Sequence, residues 1–333
     1  MPRFGTGRRH DPQPASGEQR AGRPSGGRGA GHEGADPGAD ERRPSHYDRR
    51  AELIRRTPLT STGTVRLTFR VVDGRPFEFF PGYFVSVESE IEGVGRRHSP
   101  YCILSRPGRA PVFELIVRLV EGGDRSGYLG SLAVGDLLAF RGPGGHSMLP
   151  RDDSRDLVLL ATGVGIGPLL SLTGELLAEG FPRPIRLFWG LRLEEDMCLT
   201  DELDALADDH ADFSYRISLS QPGPGWRGLR GRLTESVPPL LGSVGGSDYR
   251  LVGNGAMTEE MAAALGDMGV GKEVIAREAY FNGRHRPDPT VMSAIHSRFV
   301  ASDLLAPSAF ETGDLFRLDR PLGGRPRPPR SDR

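Results

Sequence analysis

The stretch Leu157-Val158-Leu159-Leu160-Ala161-Thr162-Gly163-Val164-Gly165-Ile166-Gly167-Pro168-Leu169-Leu170-Ser171 is an apolar run that breaks into a glycine-rich turn and then resumes with helical spacing. It reads as a strand, a tight loop and the start of a helix. Gly163, Gly165 and Gly167 let the backbone turn sharply and come close to a ligand, because no Cβ obstructs it. Pro168 suits the first helical turn, where its missing N–H would be unpaired anyway, so free amides and the positive end of the helix dipole can face a phosphate. The loop is a candidate pyrophosphate cradle. Taken alone, the same pattern also describes a tight connection with no ligand.

Around this stretch, strands and helices alternate. Leu157 to Ala161, Ile185 to Trp189, Phe213 to Leu219 and Tyr249 to Val252 read as strands, and Leu169 to Leu177, Asp201 to Ala207 and Met257 to Met268 as helices. That alternation predicts βαβ units and a parallel sheet, whose ligands bind at the carboxyl ends of the strands. Upstream, between Ala51 and Arg141, the period changes to two. Thr64 to Val72, Tyr83 to Val87 and Val112 to Leu119 alternate apolar and polar residues between Gly and Pro turns, which predicts an antiparallel barrel or sandwich.

The two ends differ from both halves. The first 48 residues are rich in Gly, Pro, Arg, Asp and Ser with almost no large apolar residue, a composition that cannot offset the entropy of ordering, so a disordered tail is expected. After Phe281 the pattern fades into a Pro/Arg-rich stretch with one short apolar segment, expected to be partly disordered.

Bulk properties narrow the function. A chain of 333 residues has room for two domains of ordinary size. Lys and Arg number 43 against 44 Asp and Glu, so no general affinity for nucleic acid or anionic membrane is expected. Cys102 and Cys198 are the only cysteines, too few for a four-thiolate iron–sulfur or zinc site, and no metal is expected. A soluble, cytoplasmic protein is the expectation from the sparse cysteines and the lack of a long apolar run.

The order of short motifs resembles the ferredoxin-NADP reductase family, from about Ala51 to Phe281. Ser99-Pro100-Tyr101-Cys102-Ile103 is similar to that family's flavin motif, with Ser99 where the family has Arg and Cys102 where it has Ser or Thr; Arg96 or Arg97 is a candidate for the displaced cation. A tyrosine at such a strand edge can lie flat on a flavin ring. Gly122-Gly123-Asp124-Arg125-Ser126-Gly127 resembles the turn and helix start that face the FAD pyrophosphate, with Arg118 on the preceding strand as a local cation. Thr162, Gly163, Gly165 and Pro168 fall in the nicotinamide-side loop, where Val164 replaces a threonine. Arg192, Ser220, Gly253 and Met257 match the family's nucleotide segments, and Val252 stands where it has a cysteine. In NADPH-selective members an arginine follows the serine, because a 2′-phosphate calls for a bidentate cation; Gln221 there tilts the expectation to NADH. Glu278 matches an acidic residue near the flavin, the alternative being an ordinary strand-end carboxylate.

The resemblance implies a FAD-binding antiparallel Greek-key β-barrel over 49–150, an α/β parallel-sheet NAD(P)-binding domain over 151–282 and a C-terminal extension over 283–333. It implies FAD and NADH or NADPH as cofactors, with Tyr101 and Glu278 as catalytic candidates. The implied activity moves hydride from the nicotinamide to FAD and single electrons to a separate acceptor protein, a ferredoxin or an oxygenase component. Two alternatives stay open: a flavin reductase using diffusible flavin, suggested by Ser99, and a nucleotide-sensing regulatory flavoprotein, suggested by Val164 and Val252.

Overall fold

A computed structural model describes residues 49–91, 95–119, 124–145, 148–150 and 153–280. The expected N-terminal tail and C-terminal extension, together with Gly123 and the side chains of Arg96 and Arg97, lie outside the described residues.

The first half forms six antiparallel strands: β1 (Arg49–Pro58), β2 (Thr64–Val71), β3 (Phe84–Ile91), β4 (Gly95–Cys102), β5 (Val112–Arg118) and β6 (Leu137–Gly144), with helix α1 (Asp124–Ser131) between the last two. Their order is β4-β3-β6-β1-β2-β5, a Greek-key arrangement in which β6 inserts between β3 and β1. The sheet closes where Ile103 bridges Leu115 and Leu104 N–H donates to the Glu114 carbonyl at 2.8 Å. Alternating residues fill the inside, among them Leu53, Val65, Leu67, Phe69, Val85, Ile103, Phe113, Leu115 and Phe140, and all are buried. β1 is absent from the period-two reading because its register slips between Leu53 and Arg55: a bulge moves the alternation out of phase halfway along the strand.

The second half is a parallel sheet ordered β10-β9-β8-β7-β11-β12. Its strands are β7 (Asp156–Thr162), β8 (Ile185–Leu191), β9 (Phe213–Leu219), the two-residue β10 (Leu229–Arg230), β11 (Ser247–Asn254) and β12 (Ile275–Tyr280). Its helices are α2 (Ile166–Ala178), α3 (Thr200–Asp209), the single turn α4 (Leu233–Ser236) and α5 (Gly255–Asp267). Strand parity sorts the core into two layers. Leu157, Leu159, Ala161, Leu187 and Trp189 face α2 and α3, whereas Val158, Leu160, Phe188, Tyr249 and Leu251 face α4 and α5. Both faces are covered at the centre of the sheet, so β7 reads as a continuous apolar run from Leu157 to Ala161.

Helix α2 is also the seam with the barrel. Leu104 and Ile116 join its core cluster, Ser171 Oγ donates to the Ser105 carbonyl at 2.8 Å, and Arg106 pairs with Glu175 at 3.3 Å. A Cβ on Gly167 would stand 2.7 Å from Ile116 Cγ2, so that glycine brings the helix onto the barrel. The link between the halves is held from below. Buried Arg250 on β11 donates to the Met148 and Leu149 carbonyls at 2.7 and 3.1 Å and pairs with buried Asp248 at 3.4 Å.

Candidate functional site

The strand order reverses between β7 and β11, and there the carboxyl ends open into a crevice. A cavity of about 480 Å³ occupies it, lined by Thr162, Gly163 and Val164 after β7, Trp189 to Arg192 at the end of β8, Ser220 after β9, and Asn254 and Met257 after β11. The barrel contributes Thr64, Ile116 and Arg118. Thr162, Gly163, Arg192, Ser220 and Met257, proposed from sequence, therefore meet around one space.

Two loops lock together at its floor. Thr162 Oγ1 accepts from Asn254 N–H at 2.8 Å. Gly253 has φ +135°, and a Cβ there would strike the Thr162 hydroxyl. Gly165 turns its α-carbon to the neighbouring loop, where an added Cβ would come within 2.5 Å of the Val252 carbonyl oxygen. The expectation that Gly165 is bare for a ligand is thus corrected: it is bare for backbone. Gly163, at φ +54° with open space beside it, is the glycine that faces the cavity. Pro168 is buried in the first turn of α2 and does not line the cavity. Asn254 Oδ1 accepts from the first amides of α5, Ala256 N–H at 2.9 Å and Met257 N–H at 3.4 Å, while α2 starts with no side-chain cap. At α2 the Ile166 N–H is taken by the Gly163 and Val164 carbonyls and Pro168 has none, so the amides that can meet an anion are those of the Gly163–Gly165 turn ahead of the helix.

Arg118 needs a second correction. It was expected beside flavin phosphates, yet it points into the crevice and bridges the domains. Its Nη1 donates to Asp196 Oδ1 at 2.9 Å and Thr62 Oγ1 at 2.7 Å, and Thr62 Oγ1 donates to the same carboxylate at 2.8 Å. Burial alone would raise the Asp196 carboxyl, but the hydrogen bonds from Arg118 and Thr62 outweigh it and hold the group below its ordinary value. Arg118 is the last residue of β5, and its side chain reaches Asp196 of the nucleotide half. Sequence spacing alone does not reveal this.

The flavin-side candidates gather where β4 and β12 end. The Cys102 thiol donates to Glu278 Oε1 at 2.7 Å, joining residues 176 positions apart. Burial pushes the Glu278 carboxyl up to about 7, and the thiol bond only partly opposes it. Burial and the adjacent Glu278 push the Cys102 thiol well above its ordinary value, so it acts as a donor and not as a thiolate. Tyr101 is half-buried against the barrel core and Tyr280 against the core of the parallel sheet, so the two aromatics flank the junction from its two sides. Ser99 Oγ is buried with no hydrogen-bond partner among the described residues, a costly condition that a polar ligand would relieve, while the buried Tyr280 hydroxyl lies against the Cys102 thiol. Ile103, expected as a ligand contact, instead buries its side chain in the barrel core. Ser126 is half-buried and Gly127 exposed at the start of α1.

Three residues of the site carried no clear signal in the sequence: Trp189, Thr62 and Asn254. Only Asn254, directly ahead of the Gly255 helix start, has a readable local pattern, that of an N-cap.

Comparisons with known proteins fit this layout. Residues 51–148 match the family model described as the oxidoreductase FAD-binding domain, and residues 159–263 that of the oxidoreductase NAD-binding domain. Ferredoxin--NADP reductase B of Sorangium cellulosum is 36% identical over 199 residues, 59% of this chain and 80% of the relative. The ferredoxin--NAD(P)(+) reductase component of a naphthalene 1,2-dioxygenase/salicylate 5-hydroxylase system from Ralstonia is 29% identical over 214 residues, 64% of this chain and 63% of the relative, so less than two thirds of that protein is spanned. Among solved structures, the Amycolatopsis cytochrome P450 reductase GcoB superposes with a TM-score of 0.63 at 26% identity, covering 69% of each chain. A closed antiparallel barrel, a doubly wound parallel sheet and both matching domain models place this chain in the ferredoxin-NADP reductase family of FAD- and NAD(P)-binding oxidoreductases.

Proposed function

We propose that this protein takes reducing equivalents from NADH, holds FAD at the β4–β12 junction, and passes electrons singly to a separate acceptor protein of the ferredoxin or oxygenase-component type. The observation that carries this reading is the Cys102–Glu278 hydrogen bond. It brings the tyrosine-bearing end of the barrel to the carboxyl edge of the parallel sheet, which also opens the dinucleotide crevice. FAD supplies the chemistry of accepting a hydride and releasing electrons one at a time. The chain's own residues supply the rest. Tyr101 and Tyr280 offer aromatic faces at the junction, and Ser99 a buried hydroxyl. Ser126 and Gly127, near the start of α1, suit a phosphate. Glu278, near half-protonated at neutral pH, with the Cys102 thiol aimed at it, holds a proton at the junction within reach of the reacting centre.

The preference for NADH follows from how the nearby guanidinium groups are engaged. Arg192 Nε is held by Gln221 Oε1 at 3.0 Å, Arg230 donates to the carbonyls of Gly223, Pro224 and Trp226, and Arg232 pairs with Glu260 at 3.2 Å. A 2′-phosphate would have to draw one of these three from its present partner or rely on Arg227, exposed in the same segment. The domain limits 49–150 and 151–282 belong to this proposal, as does a cytoplasmic location, supported by two free thiols and, among the described residues, no helix long and apolar enough to cross a membrane.

Anaerobic mixing of the flavin-loaded protein with NADH or NADPH tests the proposal. Rapid bleaching of the flavin band, faster with NADH, is expected; a flavin band that persists with both nucleotides would refute it. The buried Ser99, in place of an exposed anchoring cation, favours a second reading in which flavin exchanges as a substrate. Loss of the yellow colour on gel filtration, with NADH-dependent reduction of added flavin, would select that reading.

A further inference from the structure

We propose that Trp189 is a positioning residue of the dinucleotide site, which aims the Val164 amide at the crevice through its indole N–H. The inference rests on the reading of the crevice as the NAD(P)H site. Trp189 lies on β8 directly opposite Ala161 of β7, is fully buried from solvent, and lines the cavity. Its Nε1–H donates to the Gly163 carbonyl at 2.9 Å. The same carbonyl accepts from Ile166 N–H in the first turn of α2, so both of its lone pairs are occupied and the carbonyl is fixed toward the sheet and helix.

The consequence follows from peptide geometry. The Gly163 carbonyl and the Val164 N–H share one planar trans peptide, so they point in opposite directions. A carbonyl tethered inward to Trp189 turns the Val164 amide outward, and Val164 lines the cavity. The left-handed φ of +54° at Gly163 is the backbone state that this tether selects, and only glycine adopts it freely. Ala161 is small enough to leave space for the indole, and Gly190 next in the strand lets Thr162 and Leu233 close over it; a Cβ there would stand 2.8 Å from Leu233 Cγ. Val164 brings no side-chain hydroxyl to this loop, so anion recognition falls on backbone, and backbone direction depends on what holds it.

Two substitutions separate the indole N–H from its ring. Trp189→Phe removes the donor and part of the ring. Replacement of Trp189 by benzothienylalanine, in a Trp226→Phe background so that one tryptophan remains, keeps the ring shape and removes only the N–H. Hydrogen–deuterium exchange over residues 157–170 is expected to quicken at least threefold in both. The dissociation constant of NAD+ by calorimetry is expected to rise about three- to tenfold, the worth of one hydrogen bond. The KM for NADH should rise in step while kcat stays within twofold. Unchanged exchange and affinity in both variants would overturn the proposal, and so would a benzothienyl protein that matches its own background while Trp189→Phe does not, since ring packing would then be the cause. The exchange measurement needs no ligand. A wild-type protein that binds neither NAD+ nor NADP+ therefore overturns the dinucleotide reading itself, recognisably so, while the exchange data still judge the tether.

Discussion

Replacing Glu278 by glutamine preserves the shape of the β4–β12 junction and removes its titration. The carboxyl is pushed from an ordinary 4.5 to about 7 by burial, and its described hydrogen-bond partner is a thiol, a weak donor. Between those two values the folded protein keeps a proton that the unfolded chain has released, so stability falls as pH rises from 4.5 to 7. The size follows from 7 minus 4.5, about 2.5, at about 1.4 kcal/mol for each, an upper bound of about 3.5 kcal/mol. Glu278→Gln has no such slope, so relative to wild type it gains stability with rising pH, by up to that amount between pH 5 and 8. Urea unfolding of both proteins across that range, at one fixed FAD concentration, measures the difference. Turnover should change in parallel: the wild-type rate falls off above a midpoint near 7 as the proton is lost, and the variant is slow and flat. A stability difference between the two proteins that stays constant from pH 5 to 8 would show that the carboxyl is not buried as the junction requires.

Other consequences follow from particular contacts. Arg250→Met should cost about 3 to 5 kcal/mol in urea unfolding, because it strands the Met148 and Leu149 carbonyls and takes one partner from buried Asp248; a loss below 1 kcal/mol would mean the link between domains is not held there. Gly165→Ala should lower the melting temperature more than Gly163→Ala, since the first drives a methyl into the Val252 carbonyl and the second only strains a left-handed residue by roughly 1 to 2 kcal/mol; equal shifts would contradict the loop packing. Gln221→Arg should raise kcat/KM for NADPH relative to NADH by at least tenfold, and an unchanged ratio would place nucleotide selection elsewhere.

Much of this molecule is legible along the chain because the relevant forces are local. The period of two in Thr64 to Val72 and the unbroken apolar run from Leu157 to Ala161 report which strand has one buried face and which has two, and that contrast separates barrel from parallel sheet. The glycine loop and helix start after β7 follow from the lack of a Cβ and from helix-end chemistry, both properties of a few adjacent residues. β1 escaped because its bulge shifts the alternation by one residue, a feature set by its pairing with β2.

The site divides along the same line. Thr162, Gly163, Arg192 and Ser220, chosen from motif order, line one cavity because each lies at or just past the end of a strand and strand ends share an edge of the sheet. Whether Gly165 faces ligand or backbone, whether Arg118 serves flavin or bridges to Asp196, and whether Glu278 finds a thiol are properties of pairs far apart in sequence. Gly165 meets Val252 when β7 and β11 pair in the parallel sheet, and the other two pairs meet only when the two domains fix their distance. Local sequence determined the elements and the backbone conformations available at their ends. The packing of two separately coded domains decided which side chains share a hydrogen bond, because hydrogen bonding and desolvation act over a few ångströms of space regardless of separation along the chain.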